Sequence, residues 1–308
     1  MDSQNSSIDL GSVSAVGTRV AHLRFLAFFL SCLLPFALAW ESMGVLFALI
    51  LGNETFSQIP LIPFISCYLV YGNRKAIFSE ISYGWKLGLG LIIPGIVSLG
   101  AGQFNLLSLR STNQVVLVVL GMVLIWMGMF AVFFGTRAFR IATFPLLFLL
   151  FTIPIPEPAL SNFIVFLQKG SANLAEMFFG LARVPYFRQG FIFELPTVTI
   201  RVAEECSGIR STLALLITTV LASHLFLRSN WKRLLLVLLV VPVAIFKNGL
   251  RIATLSILAI YVNPGFLQGN LHHRGGIVFF VIALLPMALL LLWLERSEKF
   301  SSAAIKRT

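Results

Sequence analysis

Acidic residues are scarce in this sequence: 12 Asp and Glu stand against 23 Lys and Arg in 308 residues, and charged residues of all kinds make up 11%. A water-soluble domain carries about 25% charged and about 45–50% apolar residues. With 58% hydrophobic residues and a mean hydropathy of +0.92, the chain falls outside that class. Cysteine is also sparse. Cys32, Cys67 and Cys206 are the three present, with no disulfide framework and no Cys-x-x-Cys metal spacing. No Gly-x-Ser-x-Gly segment occurs, which excludes the serine nucleophile built on it. There is no internal repeat, and no low-complexity stretch beyond the first residues. The start lacks a basic stretch running straight into a short apolar core and an Ala-x-Ala site. Residues 1–22 therefore read as a disordered cytoplasmic tail rather than a cleaved signal.

What the sequence has is a succession of long apolar runs, expected in an all-α polytopic membrane protein. Hydropathy places about eight transmembrane helices, at 23–40, 56–71, 87–104, 115–134, 139–153, 207–227, 234–262 and 276–294. The apolar stretch 43–51 is too short to cross alone and is expected to extend the first helix or lie in the interface. These spans form one transmembrane domain over 23–294, followed by a basic cytoplasmic tail over 295–308. The net charge of +11 is spread over short loops, as topology determinants and contacts to anionic membrane lipids are, and not as a nucleic-acid footprint. With the N-terminus inside, Arg74, Lys75, Arg137, Arg140, Arg228, Lys232 and Arg233 all fall on the inner face, while the short outer loops carry only Arg110 and Arg274. The positive-inside rule then places both termini in the cytoplasm.

Ionisable side chains are costly within a span and are commonly functional there. Three such residues approach the outer face from three helices. Cys206 opens the sixth span within Glu204-Glu205-Cys206-Ser207-Gly208. A helix N-terminus favours a thiolate and offers N–H groups to an oxyanion, and the small Ser207 and Gly208 leave room for a peptide. The two glutamates oppose the thiolate unless a cation pairs with them. Arg251 lies 18 residues beyond Arg233, about 27 Å at ~1.5 Å per residue, close to the ~30 Å hydrocarbon thickness. Asn248, one turn earlier, is placed to orient Arg251, and Lys247 is a competing cation. His272 precedes the eighth span, with Gly275 and Gly276 permitting close backbone approach. It is adjacent to His273, and chemistry alone leaves either as the acid/base group. Thiol, guanidinium and imidazole together supply nucleophile, anion stabiliser and proton carrier. The chemistry needs no metal and no cofactor.

The outer loop 154–206 holds the remaining signal. Phe163, Phe166, Leu167, Leu174, Met177, Phe178 and Leu181 recur at helical period among Gln168, Lys169, Ser171, Asn173 and Glu176. This pattern predicts an amphipathic helix lying on the outer surface. After it, 191–196 and 198–202 alternate as short strands do. The segment is expected to act as a lid or a surface for an extended peptide.

In this order, Glu205-Cys206-Ser207-Gly208, then Asn248-Gly249-Leu250-Arg251, then His272 with Gly276 four residues on, resemble the exosortase/archaeosortase family. The likeness spans roughly 56–294. It implies a membrane-embedded cysteine peptidase or transpeptidase, a thiol protease of the bacterial inner membrane. Its implied substrates are exported proteins with a C-terminal motif such as Pro-Glu-Pro, a hydrophobic helix and a basic tail. The resemblance places the nucleophile on Cys206, the essential arginine on Arg251 and the histidine on His272, with His273 the alternative. It implies an acyl-enzyme formed at the outer, periplasmic face and passed to a cell-surface acceptor. Two other classes also use apolar spans with internal charges. A secondary transporter predicts midplane helix breaks and repeat symmetry. A non-catalytic subunit of a polysaccharide or protein export complex predicts that Cys206→Ala is silent.

Overall fold

The computed structural model describes residues 10–80, 82–202, 208–267 and 270–305, with side chains from 23 onward except at 54, 267, 270–277 and from 300. The chain divides into two compact units, Met1–Glu157 and Pro158–Thr308.

In the first unit, α1 (Leu10–Leu38) and α2 (Trp40–Gly52) are separate helices bent by 81° at Ala39. Pro35, in the last turn of α1, withdraws a backbone donor just before the break. Residues 43–51 thus neither continue the first helix nor stand alone. Helix α3 (Leu61–Gly72) starts after Pro60, and α4 (Arg74–Ile77) is a single turn. Helices α5 (Trp85–Gln103) and α6 (Ser111–Ile141) form the centre of the unit. Phe25, Phe28, Phe78, Phe130 and Phe134 pack at its end with ring centroids 4.9–6.3 Å apart.

The α5–α6 contact is made by glycine. Gly88, Gly95 and Gly102 recur every seven residues on α5, and Gly121, Gly128 and Gly135 do so on α6. A Cβ on Gly121 would stand 2.6 Å from the Gly95 carbonyl oxygen, and one on Gly128 would stand 2.8 Å from that of Gly88. The two backbones touch. Lipid gives apolar side chains no reason to prefer each other over acyl chains, so close approach through small residues is what holds such helices together. Gly135 has φ +89° and ψ 170° and kinks α6, and a Cβ there would collide with Ser82. Beyond the kink Arg137 pairs with Glu80, and the guanidinium holds that carboxyl below its usual range.

In the second unit, α8 (Glu157–Leu181) leads into a three-stranded antiparallel sheet of β1 (Phe187–Gln189), β2 (Ile192–Glu194) and β3 (Thr199–Arg201). The register sets Phe187 opposite Glu194 and Phe193 opposite Ile200. Phe193, Ile200 and Val202 turn inward onto Ala172, Ala175 and Phe179 of α8 and Ala253. Arg188 reaches from β1 to Glu176 and to Asn173 Oδ1 (3.0 Å), fastening the sheet to the helix. Then follow α9 (Ile209–Phe226), α10 (Asn230–Leu238), α11 (Val240–Tyr261) and α12 (Asn270–Ile305). The Glu298 carboxylate accepts the backbone N–H groups of Arg228 and Ser229, both at 2.9 Å, tying the α9–α10 turn to the end of α12.

Five helices among the described residues are long and apolar enough to cross a membrane, and up to seven spans result if two bent pairs each count as one. The expected eight differ in definite places. The run 56–71 contains the 12-residue α3, about 18 Å long at ~1.5 Å per residue and short of ~30 Å. The runs 115–134 and 139–153 are not two spans of equal standing. Helix α6 continues through its kink to Ile141, and the remainder is α7 (Thr143–Phe148) with a 3₁₀ turn, Leu149–Thr152.

Helix α8 forms as expected, but its inward face is mixed and part of its apolar stripe lies outward. Its buried residues are Leu167, Gln168, Ser171, Ala172, Ala175 and Phe179. Phe166, Met177 and Leu181 are 52%, 55% and 81% exposed. Leu167 and Phe179 thus face the protein together with small and hydrogen-bonding residues, while Phe166, Met177 and Leu181 share the outer face with Lys169 and Asn173.

Candidate active site

The site is best built from its edges. At the end of β3, the buried side chain of Gln168 on α8 donates from Nε2 to the Val202 carbonyl oxygen (3.1 Å). On the other edge Gly208 caps α9 with φ +73° and ψ 19°, a left-handed conformation that favours glycine. Its carbonyl oxygen accepts from Thr212 N (2.9 Å), Thr212 Oγ1 (2.8 Å) and Ser211 Oγ (2.9 Å). A Cβ on Gly208 would stand 3.1 Å from Asn248 Oδ1 and 3.3 Å from Lys247 Nζ. Conformation and packing both require glycine at this turn.

Helix α11 supplies the wall. Asn248 is 1% exposed and donates its amide to Ser171 Oγ at 3.0 Å, Ser171 itself being fully buried on α8. Gly249 allows that approach, since a Cβ there would lie 2.7 Å from Leu174 Cβ. Lys247 is 4% exposed and donates to Ser211 Oγ at 2.5 Å. Arg251, one turn further along, is half-buried. The Asn248 amide nitrogen is engaged with Ser171, which fixes against α8 the side chain expected to orient Arg251.

Residues 203–207 are thus entered from a carbonyl held by Gln168 and left through a turn held against α11. Cys206, Glu205 and Ser207 lie outside the described residues. His272, His273 and Gly276 are described in backbone only. They belong to α12, which begins at Asn270. The histidines therefore stand in its first turn, not ahead of the helix as the apolar run suggested. Asn270, of a residue type favoured at helix starts, was the signal for an earlier start, and the glycines at 275 and 276 obscured it. Hydrogen-bonding roles of Gln168 and Ser171 were missed because polar residues on an outer-loop helix read as its wet face, and that of Ser211 because a lone serine at the start of an apolar span carries no pattern.

Tyr186 sits by the Arg188–Glu176 pair; partial desolvation, then the Glu176 carboxylate, pushes its hydroxyl above the usual range. Among the described residues no group of three His, Cys, Asp or Glu side chains is placed to hold a metal ion.

Residues 40–289 match the family model for the transmembrane exosortase. The chain belongs to the transmembrane exosortase family. No curated protein and no solved structure matches it. The family match covers both units of this exosortase, including both edges of 203–207 and all of α11. With the long apolar helices it makes this a multi-pass helical membrane protein.

Proposed function

We propose that this exosortase is a protein-sorting cysteine peptidase or transpeptidase, cleaving the C-terminal signal of exported proteins at the outer face of the membrane. The observation that carries the proposal is the family match together with the bracketing of 203–207 by Gln168 and by the Gly208–Lys247–Asn248 contact. A nucleophile needs a fixed position more than a strong base, because orientation lowers the barrier before any bond is made. The Cys206 thiolate attacks the scissile carbonyl. The resulting oxyanion is met by the Arg251 guanidinium and by N–H groups at the start of α9. Collapse breaks the C–N bond, and His272 gives a proton to the leaving amine. The acyl thioester is then transferred to an acceptor amine or water, from which His272 takes a proton. Glu205 and Ser207 flank the thiol, and Gly276 gives room beside the histidine.

The substrate presents its hydrophobic helix within the bilayer and its motif at the outer end, which requires Cys206 and His272 on that side. A cytoplasmic N-terminus and a cytoplasmic C-terminus, as the loop charges suggest, satisfy this. Alkaline phosphatase fused after Ser111 or Asn263 is expected to be active, and after Arg74 or Arg228 inactive. Swapped activities would overturn the outer-face mechanism.

The test of the chemistry is shortening of an exported protein bearing such a tail, followed by gel mobility in membranes. His272→Ala is expected to slow this roughly 10²-fold or more, the scale of general acid/base catalysis. His273→Ala should cost far less. Arg251→Lys should also fail, since an ammonium lacks the planar fork of a guanidinium. If His273→Ala is the inactive variant, the roles of the two histidines exchange. Full activity in Arg251→Lys would reduce that residue to a charge.

A further inference from the structure

One charged group beside the bracketed segment has no part in the mechanism above. Lys247 is buried more deeply than Arg251, and a buried ammonium persists only where hydrogen bonds and opposite charge compensate its desolvation. Its described partner is a hydroxyl, Ser211 Oγ at 2.5 Å. A second cation, Arg251, stands one helical turn along α11, the spacing at which like charges repel. Such a pair is uphill unless negative charge is held nearby. The Lys247 nitrogen is also 3.3 Å from where a Cβ of Gly208 would be. Gly208 follows Cys206 by two residues, and two residues of chain reach no further than about 7 Å.

We propose that Lys247 is a positioning residue of this site: through Ser211 and Gly208 it fixes the turn that follows Cys206, and it keeps a second positive charge at that turn, two residues along the chain from the nucleophile. The inference rests on the reading of Cys206 as the nucleophile. A plain tether between α9 and α11 would need only the hydrogen bond. A charge device also needs the cation, and that is the difference to measure.

The other charged groups nearby are known by place. Arg210 lies in the first turn of α9, Arg201 ends β3, Arg251 follows on α11, Glu204 and Glu205 share the loop, and His272 and His273 open α12. The α8 residues that face the site, Gln168 and Ser171, are neutral. Arginines favour the thiolate as Lys247 does, and the glutamates oppose it, so the share of Lys247 is read as a difference between variants.

The experiment uses the full chain in membranes with Cys32→Ala and Cys67→Ala, leaving Cys206 as the thiol that a maleimide alkylates. The pH midpoint of alkylation is measured alongside substrate processing. Lys247→Met is expected to raise the midpoint by about one pH unit, the order of effect of removing a unit charge from a partly desolvated site, and to slow processing roughly 10-fold, an order-of-magnitude consequence of losing thiolate at neutral pH. Lys247→Arg should restore the midpoint. Ser211→Ala keeps the charge, so its midpoint should move less than that of Lys247→Met. Should Lys247→Met not accumulate, Lys247→Gln makes the same comparison with a hydrogen-bonding side chain in place. An unmoved midpoint in the neutral variant overturns the proposal. Alkylation reads the thiol and not the reaction. Continued processing by Cys206→Ala would therefore sink the nucleophile assignment on its own, without touching the measured coupling.

Discussion

Cys206→Ala abolishes processing of the sorting signal while the protein accumulates in the membrane as the wild type does; this is the expected result with the largest effect on activity. Covalent catalysis by one thiolate has no partial substitute, so the loss should reach roughly 10⁴-fold or more and fall below detection. Cys206→Ser should be nearly as poor, because an alkoxide is far harder to form here than a thiolate. Cys32→Ala and Cys67→Ala supply the contrast. Cys32 lies within α1, where its backbone carbonyl, not its sulfur, accepts from Trp126 Nε1 at 3.0 Å, and Cys67 lies exposed on α3. Both variants should process normally. Processing by Cys206→Ala at the wild-type rate would favour a non-catalytic subunit instead.

The largest effect on the folded state is expected at Gly121. A leucine there must place its Cβ where the Gly95 carbonyl oxygen and the Leu99 nitrogen are each 2.6 Å away. Both obstacles are backbone, which cannot rotate aside. The cost should sit at the upper end of overpacking, about 3 kcal/mol or more, and α5 and α6 should separate. Gly128→Leu should behave alike. Gly90→Leu and Gly100→Leu make the control, since neither position has an atom within 4 Å of its Cβ. Both lie on α5, and leucine improves helix propensity there by up to about 1 kcal/mol. Thermal unfolding in detergent, read by monodispersity, separates the pairs. A Gly121→Leu protein as stable as Gly90→Leu would mean that the glycine contact does not hold the hairpin.

Helices α5, α6 and α9 were legible because long apolar runs declare themselves without partners. The strands were legible at 191–196 and 198–202 by alternation, whereas β1, three residues long and following Pro185, carried too little pattern to count. The glycine heptads were written in the sequence but hidden from hydropathy, since most neighbouring positions are apolar and give little contrast. Lys247 presents a similar case. As a letter it is one more cation on an apolar span beside Arg251, and only the packing of Gly208 and Ser211 against it shows it as a buried one. The break at Ala39 needed the fold as well, because Pro35 is tolerated in many apolar helices and does not fix where a bend occurs.

The outward face of α8 has a consequence for handling the molecule. Phe166, Met177 and Leu181 are the surface that surrounding acyl chains or detergent must coat, while Gln168 and Ser171 hold neighbouring elements from within. A water-soluble redesign would recolour Phe166, Met177 and Leu181 with charge and leave the polar stripe alone. The habit learned from soluble proteins, keeping the greasy face and varying the hydrophilic one, would here dismantle the helix's attachments and preserve its insolubility.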